Sequence, residues 1–421
     1  MISKSVDVAV IGAGLAGLSA AQELQLRGLE VAVLEQSDGP GGRVRSDQVD
    51  GCILDRGFQI LLTAYPEVKR QLDLEALDVH AFAPGAVVHL DGQNHIVGDP
   101  LRDPRSLVPT LRSPIGSLID KLTIVKLRQR VLRGDGRQLL RAPETSTRDH
   151  LSTLGFSPRM VTRFLRPLFA GIQLDPELET SSRMFDIIFR SLSQGESVVP
   201  AAGMGAIPQQ LADRLAPGTI HYNTTVEQVG AGGVNTDDGQ IRADQVIVAT
   251  DGPAAHKLVG TRLPGSRAAA CVWFLAETSP APGRRILLDG SSDGPALNVA
   301  VMSDVAPNYA PAGKALIAAS CPGTMGPGLE DAVRQQMRSW FGAVVDSWIT
   351  IRVDRIPHGQ PDQAPAFSPK RSVRVRNGLW VCGDHRDTGS IQGALYSGRR
   401  TAVAVLEELR VGGRPPGAST T

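Results

Sequence analysis

The stretch VAVIGAGLAGLSAAQELQLRGLEVAVLEQ, residues 8–36, constrains the fold more than any other part of the chain. Residues 6–11 form a short apolar run of the kind that makes a buried parallel strand. Gly12, Ala13, Gly14, Leu15, Ala16 and Gly17 follow at once. Leu15, Leu18, Ala21, Leu24 and Leu26 then recur at helical spacing, and Gly28 stops the helix. Residues 30–35 read as a second strand ending in an acid, Glu35. Strand, glycine turn, helix, strand and acid in this register predict a dinucleotide-binding βαβ unit.

Each part has a physical task. Gly12 permits the tight turn out of the strand. Gly14 lets backbone approach a pyrophosphate, and Gly17 lets the helix pack closely on the sheet. Amides at the helix start, aided by its dipole, hold the phosphates. Glu35 accepts hydrogen bonds from both ribose hydroxyls and repels a 2′-phosphate, which argues against NADP. A second glycine turn, Gly41-Gly42, is followed by Arg43, whose guanidinium is placed to reach the same pyrophosphate.

Composition narrows the partners. The net charge of +1 gives no reason to expect nucleic acid. The cysteines at 52, 271, 321 and 382 lack CxxC or metal-ligand spacing, and no two of the 8 histidines lie at i, i+4. Reduced thiols and no metal site are expected. The first residues lack a cleavable signal pattern, and no stretch is apolar enough to span a bilayer. A cytoplasmic protein is the simplest expectation, with attachment to a membrane surface left open.

GAGLAGLSAA, Glu35 and GGRV together resemble the N-terminal signature of the superfamily of flavin amine oxidases, protoporphyrinogen oxidases and phytoene-type desaturases. LDRGFQILL, residues 54–62, resembles the segment that superfamily places beside the flavin, in wording nearest the desaturase-like branch. At the other end, residues 378–409 resemble its C-terminal half: LWVCGD is an apolar strand, and GSIQGALYSGRRTAVAVLEEL turns helical. The resemblance implies FAD as cofactor. It implies that Gly57, Phe58, Gln59 and Ile60 lie beside the flavin, that Gly383 and Asp384 meet the ribitol chain, and that Gln392, Gly393, Ala394 and Leu395 lie near N1 and O2. A helix start there would stabilise negative charge on the reduced ring. In TTVEQV, Val226 would offer its backbone to the adenine.

The fold implied is α/β: a discontinuous Rossmann-type FAD-binding domain (about 1–78, 202–260 and 370–412) with a mixed α+β substrate domain (79–201 and 261–369). Residues 413–421 read as a disordered tail. A mixed or antiparallel sheet should wall the flavin, backed by an amphipathic helix carrying Leu329, Val333, Met337, Trp340 and Phe341. The segment SLIDKLTIVKLRQRVLR fits two settings. It is a core helix with Leu118, Leu122, Val125 and Leu132 inward, or a helix lying on a membrane surface. The glycines of residues 199–215 suit either close approach to cofactor or substrate, or a loop leading into a helix.

No second nucleotide fingerprint appears, so electrons are expected to arrive from the substrate and leave to oxygen, a quinone or another acceptor. The superfamily's amine oxidases often carry an aromatic cage and a lysine near N5. Residues 388–392 hold no Tyr or Trp, and RAAACVWFLAE holds no lysine. These absences weigh against amine oxidation. With aromatic residues at 4%, an aliphatic pocket for an isoprenoid or lipid-like substrate is expected. Gln59, Gln173, Arg166 and His385 are the polar residues weighed for chemistry, and each reads more readily as structural. The alternatives are a flavin amine oxidase releasing peroxide, and a non-redox flavin protein such as an isomerase or an assembly factor.

Overall fold

The computed structural model describes residues 5–230, 232–324 and 326–411. Residues 413–421, expected to be disordered, lie outside them. The first strand, Ser5–Ile11, is buried along most of its length and pairs in parallel with Val31–Leu34 on one side and Gly239–Val248 on the other. Ile220–His221 and Leu379–Val381 extend this parallel core at its two edges. Gly233–Thr236 folds back antiparallel on the start of Gly239–Val248, Val226–Gly230 pairs antiparallel with Gly233–Thr236 outside it, and Arg374–Arg376 pairs with Leu379–Val381. One sheet is thus assembled from remote parts of the chain.

The helix after the glycine turn spans Leu15–Gln25. Leu26 falls outside it as the C-cap and is 73% exposed, so it does not belong to the inward row expected of it. Gly12 (φ +102°) turns the chain within 3.2 Å of the Ala249 carbonyl oxygen, measured from where a Cβ would stand. A Cβ on Gly17 would fall 2.0 Å from the Gly12 carbonyl oxygen. Both glycines are required by contact. The long helix Ile391–Val411 crosses Leu15–Gln25. A methyl on Gly398 would lie 2.1 Å from the Ala16 carbonyl oxygen, and Ser19 donates to the Leu395 carbonyl at 2.9 Å.

The second sheet runs Ile349–Pro361, Ser266–Ala276, Ala315–Pro322, Asn298–Val301, Ile286–Asp289, Ala86–Leu90 and Gln93–Val97. Among these pairs only Ile286–Asp289 with Ala86–Leu90 is parallel. Leu329, Val333, Met337 and Trp340 of helix Leu329–Phe341 pack on one face with Val272 and Phe274. Alternation sends Cys271, Trp273 and Leu275 to the other face, where they join the core around the nucleotide sheet. Helices Leu118–Leu132, Arg166–Gln173 and Ser182–Gln194 build a separate core.

Helix Leu118–Leu132 departs from the core setting. Leu118, Leu122 and Val125 are 65%, 61% and 47% exposed, whereas Leu127 and Val131 are buried. The cause is Asp120. It is buried and accepts from the Ser117 and Ser157 amides, each at 2.7 Å, and from both hydroxyls. That anchor sets the helix phase, so residues 120, 124, 127 and 131 face inward.

Asp55 ties the layers together. Its carboxylate is fully buried and accepts from the Ser46 hydroxyl (2.5 Å), the Met204 amide (2.8 Å) and the Tyr309 hydroxyl (2.9 Å). Gly203 and Gly205 pack against Ser46, whose Oγ takes the Gly205 amide at 2.8 Å. The close approach of these glycines is therefore to the antiparallel hairpin of Ser46–Val49 and Cys52–Asp55. Burial pushes the Asp55 carboxyl up to about 6, against the three donors that favour its charge. A raised carboxyl favours the fold while protonated, so its contribution is full below pH 3.8 and is lost as the pH rises through about 6. Asp55→Asn removes this loss. Between pH 4 and pH 7 the variant should gain about 2–3 kcal/mol relative to the natural chain, read from denaturant unfolding at both pH values.

Candidate active site

The two sheets and the helical layer enclose one continuous cavity of about 1690 Å³. Its nucleotide end begins at the glycine turn. Gly12, Gly14, Leu15, Ala16 and Glu35 line it. A Cβ on Gly14 would meet nothing within 4 Å, so the space in front of this backbone is open. Gly41 braces the turn, its amide donating to the Ala13 carbonyl at 2.8 Å. Ala13 and Gly17 do not line the cavity; the Ala13 amide is committed to Glu35 Oε2 at 2.8 Å. Glu35 Oε1 accepts from the amide and hydroxyl of Ser37. These bonds orient the carboxylate and leave about one lone-pair position, on Oε2, to accept from a ligand.

Gly42 and Arg43 line the cavity next, opposite Gly383 and Asp384. Arg43 and Asp384, drawn from opposite ends of the chain, meet directly at 2.7 Å. Arg43 also donates to the Gly359 carbonyl at 2.9 Å. Its guanidinium is thus fixed between both sheets, and the Asp384 carboxylate holds it charged against the effect of burial. Gln59 joins the turn to the next segment, donating to the Arg43 and Arg56 carbonyls at 2.9 Å each. Gly57 (φ +80°) approaches Ile356 and donates to Asp354 at 3.3 Å. Phe58, Gln59 and Ile60 line the cavity, and Phe58 stands edge-on to Phe82 with ring centroids 6.4 Å apart. Val226 lines the nucleotide end.

The C-terminal helix turns only part of the expected set toward the cavity. Ser390, Ile391 and Ala394 line the cavity; Gln392, Gly393 and Leu395 do not. Gln392 turns away, and its Oε1 accepts the Glu67 amide at 2.8 Å. Gly393 packs on Thr388, where a Cβ would fall 1.8 Å from the carbonyl oxygen. Leu395 is buried in the core. A helix presents only one side of its first turn, which selects Ile391 and Ala394. His385 is buried behind this wall without lining it, and burial pushes its imidazole down to about 4, so the ring is neutral at pH 7. Arg166 donates to the Pro176 carbonyl at 3.0 Å, and Gln173 is buried away from the cavity.

Beyond Phe58 the lining changes character. Ile124, Leu168, Ile172, Met184, Ile188 and Leu192 form an apolar chamber, with Phe164 and Phe189 added to the aliphatic set expected. Its carboxylate, Asp99, is tied to Arg128 at 2.5 Å. Asn298 and Gln360 also line it, each with one amide hydrogen given to a backbone carbonyl, that of Pro167 and that of Ile172 respectively. Thr250, Asp251, Ser37 and the Gly359 carbonyl belong to the site without having been read from the sequence. For Asp251 a signal existed: an acid before Gly-Pro marks a helix N-cap, and its side chain does accept the Ala254 amide at 2.8 Å. No group of three or more metal-ligating side chains occurs among the described residues.

The donor set fits an FAD molecule. Open backbone at Gly14, an oriented acid at Glu35 and a fixed arginine at Arg43 face one cavity, which is long enough to continue past them. Comparison with known proteins agrees. The sequence model of the family described as "Flavin containing amine oxidoreductase" matches residues 15–406. A candidate flavin-containing monoamine oxidase, AofH, of Mycobacterium tuberculosis is 29% identical over 60% of this chain, and the chain spans 58% of that relative's length. Phytoene dehydrogenase of Streptomyces griseus is 26% identical, with 94% of each protein covered. The crystal structure of an oxidoreductase from Methanosarcina mazei has the same fold, with a TM-score of 0.71 at 19% identity over 95% of this chain and 100% of that one.

Gly14 has an ordinary φ of −72° and room for a methyl group. Gly14→Ala should therefore keep its stability within about 1 kcal/mol. It should lose at least about tenfold in FAD affinity, because the methyl group occupies the diphosphate's approach. Thermal unfolding of the flavin-free protein and titration with FAD read the two effects separately.

Proposed function

The chain belongs to the flavin-containing amine oxidoreductase family, with FAD as its cofactor, and we propose that it dehydrogenates a hydrophobic, isoprenoid or lipid-like substrate in the manner of a desaturase. The observation that carries this reading is the continuity of the nucleotide site with the apolar chamber. Bound FAD supplies the hydride acceptor. The protein's part is to bind, orient and keep water out. Phe58 and Phe82 narrow the passage, and the aliphatic helices beyond them offer little to hold water. The start of helix Ile391–Val411 directs its amide end at the cavity, where it favours developing negative charge. Electrons then pass to oxygen, a quinone or another acceptor.

An ammonium substrate needs an unpaired acid or an aromatic box. In the chamber Asp99 is already paired with Arg128, and residues 388–392 supply neither Tyr nor Trp. Asn298 and Gln360 each keep one amide hydrogen and a carbonyl oxygen, neutral groups that offer an ammonium no counter-charge. This favours a long neutral molecule over a short cationic one.

The test is anaerobic. Flavin-loaded protein mixed with polyprenoid or polyene candidates should lose its visible flavin absorbance, and a graded chain-length series should give an optimum set by the chamber. Bleaching by amines alone, with peroxide formed on readmitting air, would return the assignment to an amine oxidase. Turnover with no external acceptor would point to an isomerase.

A further inference from the structure

Among the described residues 13 large apolar side chains are exposed, and 8 of them lie within residues 101–125. Leu101, Ile119, Leu118 and Leu122 are between 61% and 74% exposed. They sit on or beside two helices, Leu107–Arg112 and Leu118–Leu132. Lys121 binds these helices into one platform, its ammonium donating to the Leu111 and Ser113 carbonyls at 2.9 and 3.0 Å. A patch of this kind is costly in water and marks a surface meant to be covered.

The platform surrounds the mouth of the cavity. Leu101, Leu107, Leu111, Leu118, Leu122 and Val125 are both exposed and part of the cavity lining. Val108 and Ile119 lie outside the lining and form an outer rim. The charge around the patch has one sign. Arg105, Arg112 and Lys126 are exposed, and none has an ion pair among the described residues. The acids of the segment are consumed: Asp103 pairs with Arg285 at 2.6 Å, Asp120 caps its helix, and nearby Asp99 pairs with Arg128.

We infer that this platform docks the protein onto an anionic phospholipid bilayer, with the aliphatic side chains in the acyl boundary and the cations among the headgroups. Apolar burial supplies the anchor, and the cations select anionic lipid. A second copy of the chain fits less well, because packing two such faces together would oppose their cations. The cavity mouth then opens toward the acyl layer, giving a hydrophobic molecule a path that avoids water. Docking stands on the surface alone; its use for substrate rests on the reading of the chamber given above.

Flotation with vesicles tests the docking without turnover. Flavin-loaded protein should rise with phosphatidylglycerol–phosphatidylcholine vesicles and stay largely behind with phosphatidylcholine alone. Val108→Ser with Ile119→Ser should lower partition at least about tenfold, with flavin absorbance and thermal unfolding unchanged. Arg112→Glu with Lys126→Glu should lower it by a similar factor on anionic vesicles only. Protein that stays behind with both vesicle types, yet is bleached by a hydrophobic substrate, overturns the docking and leaves the catalytic reading standing. A dimer in sedimentation that the Val108→Ser, Ile119→Ser pair dissociates also overturns it, by assigning the face to a second copy.

Discussion

The close crossing of helices Leu15–Gln25 and Ile391–Val411 is the contact on which the site depends. Gly398 brings the second helix against the Ala16 carbonyl, and the Ser19 hydroxyl fixes the register through Leu395. Each helix starts at the cavity, one at Gly14 and the other at Ser390. Small residues at the crossing therefore decide that two positive helix ends face one cavity. A larger side chain at Gly398 would push the helices apart and separate the two ends of the site.

The Asp55 cluster and the Arg43 pair act on either side of that crossing. Asp55 fastens its own hairpin, Ser46–Val49 with Cys52–Asp55, to the Met204 loop and to Tyr309 of the other layer, so the segment carrying Gly57 and Phe58 is held from three directions. Arg43 reaches Gly359 and Asp384 and spans the cleft. Asp55 is a buried charge and Arg43 a half-buried one, and the cost of each is offset by specific donors or acceptors. What they secure is alignment between the nucleotide end of the cavity and its apolar chamber.

Local features were legible in the sequence because their causes are local. Gly12 needs a positive φ and Gly17 needs a bare Cα, and each requirement is fixed by residues within a few positions or by the adjoining strand. The phase of helix Leu118–Leu132 was not legible. It hangs on Asp120 meeting Ser157, a partner 37 residues away, and an acid in the inward row contradicts the hydrophobic pattern. The hydrogen bond of Gln392 was not legible for a similar reason: its partner, the Glu67 amide, belongs to a helix 325 residues earlier. Gly398 passed unnoticed because a glycine within a helix announces no partner. The apolar chamber could be expected from composition, but its walls depend on how stretches around Asp99, Ile124, Leu168, Ile188, Asn298 and Gln360 meet.

Ser19 and Leu395 are 376 residues apart, and Arg43 and Asp384 are separated by 341. During translation the first glycine turn therefore leaves the ribosome long before the strand and helix that complete its pocket. Until then it is a half-built cradle with its sheet missing an edge. The two halves of the pocket can close on one another only when the chain is nearly complete.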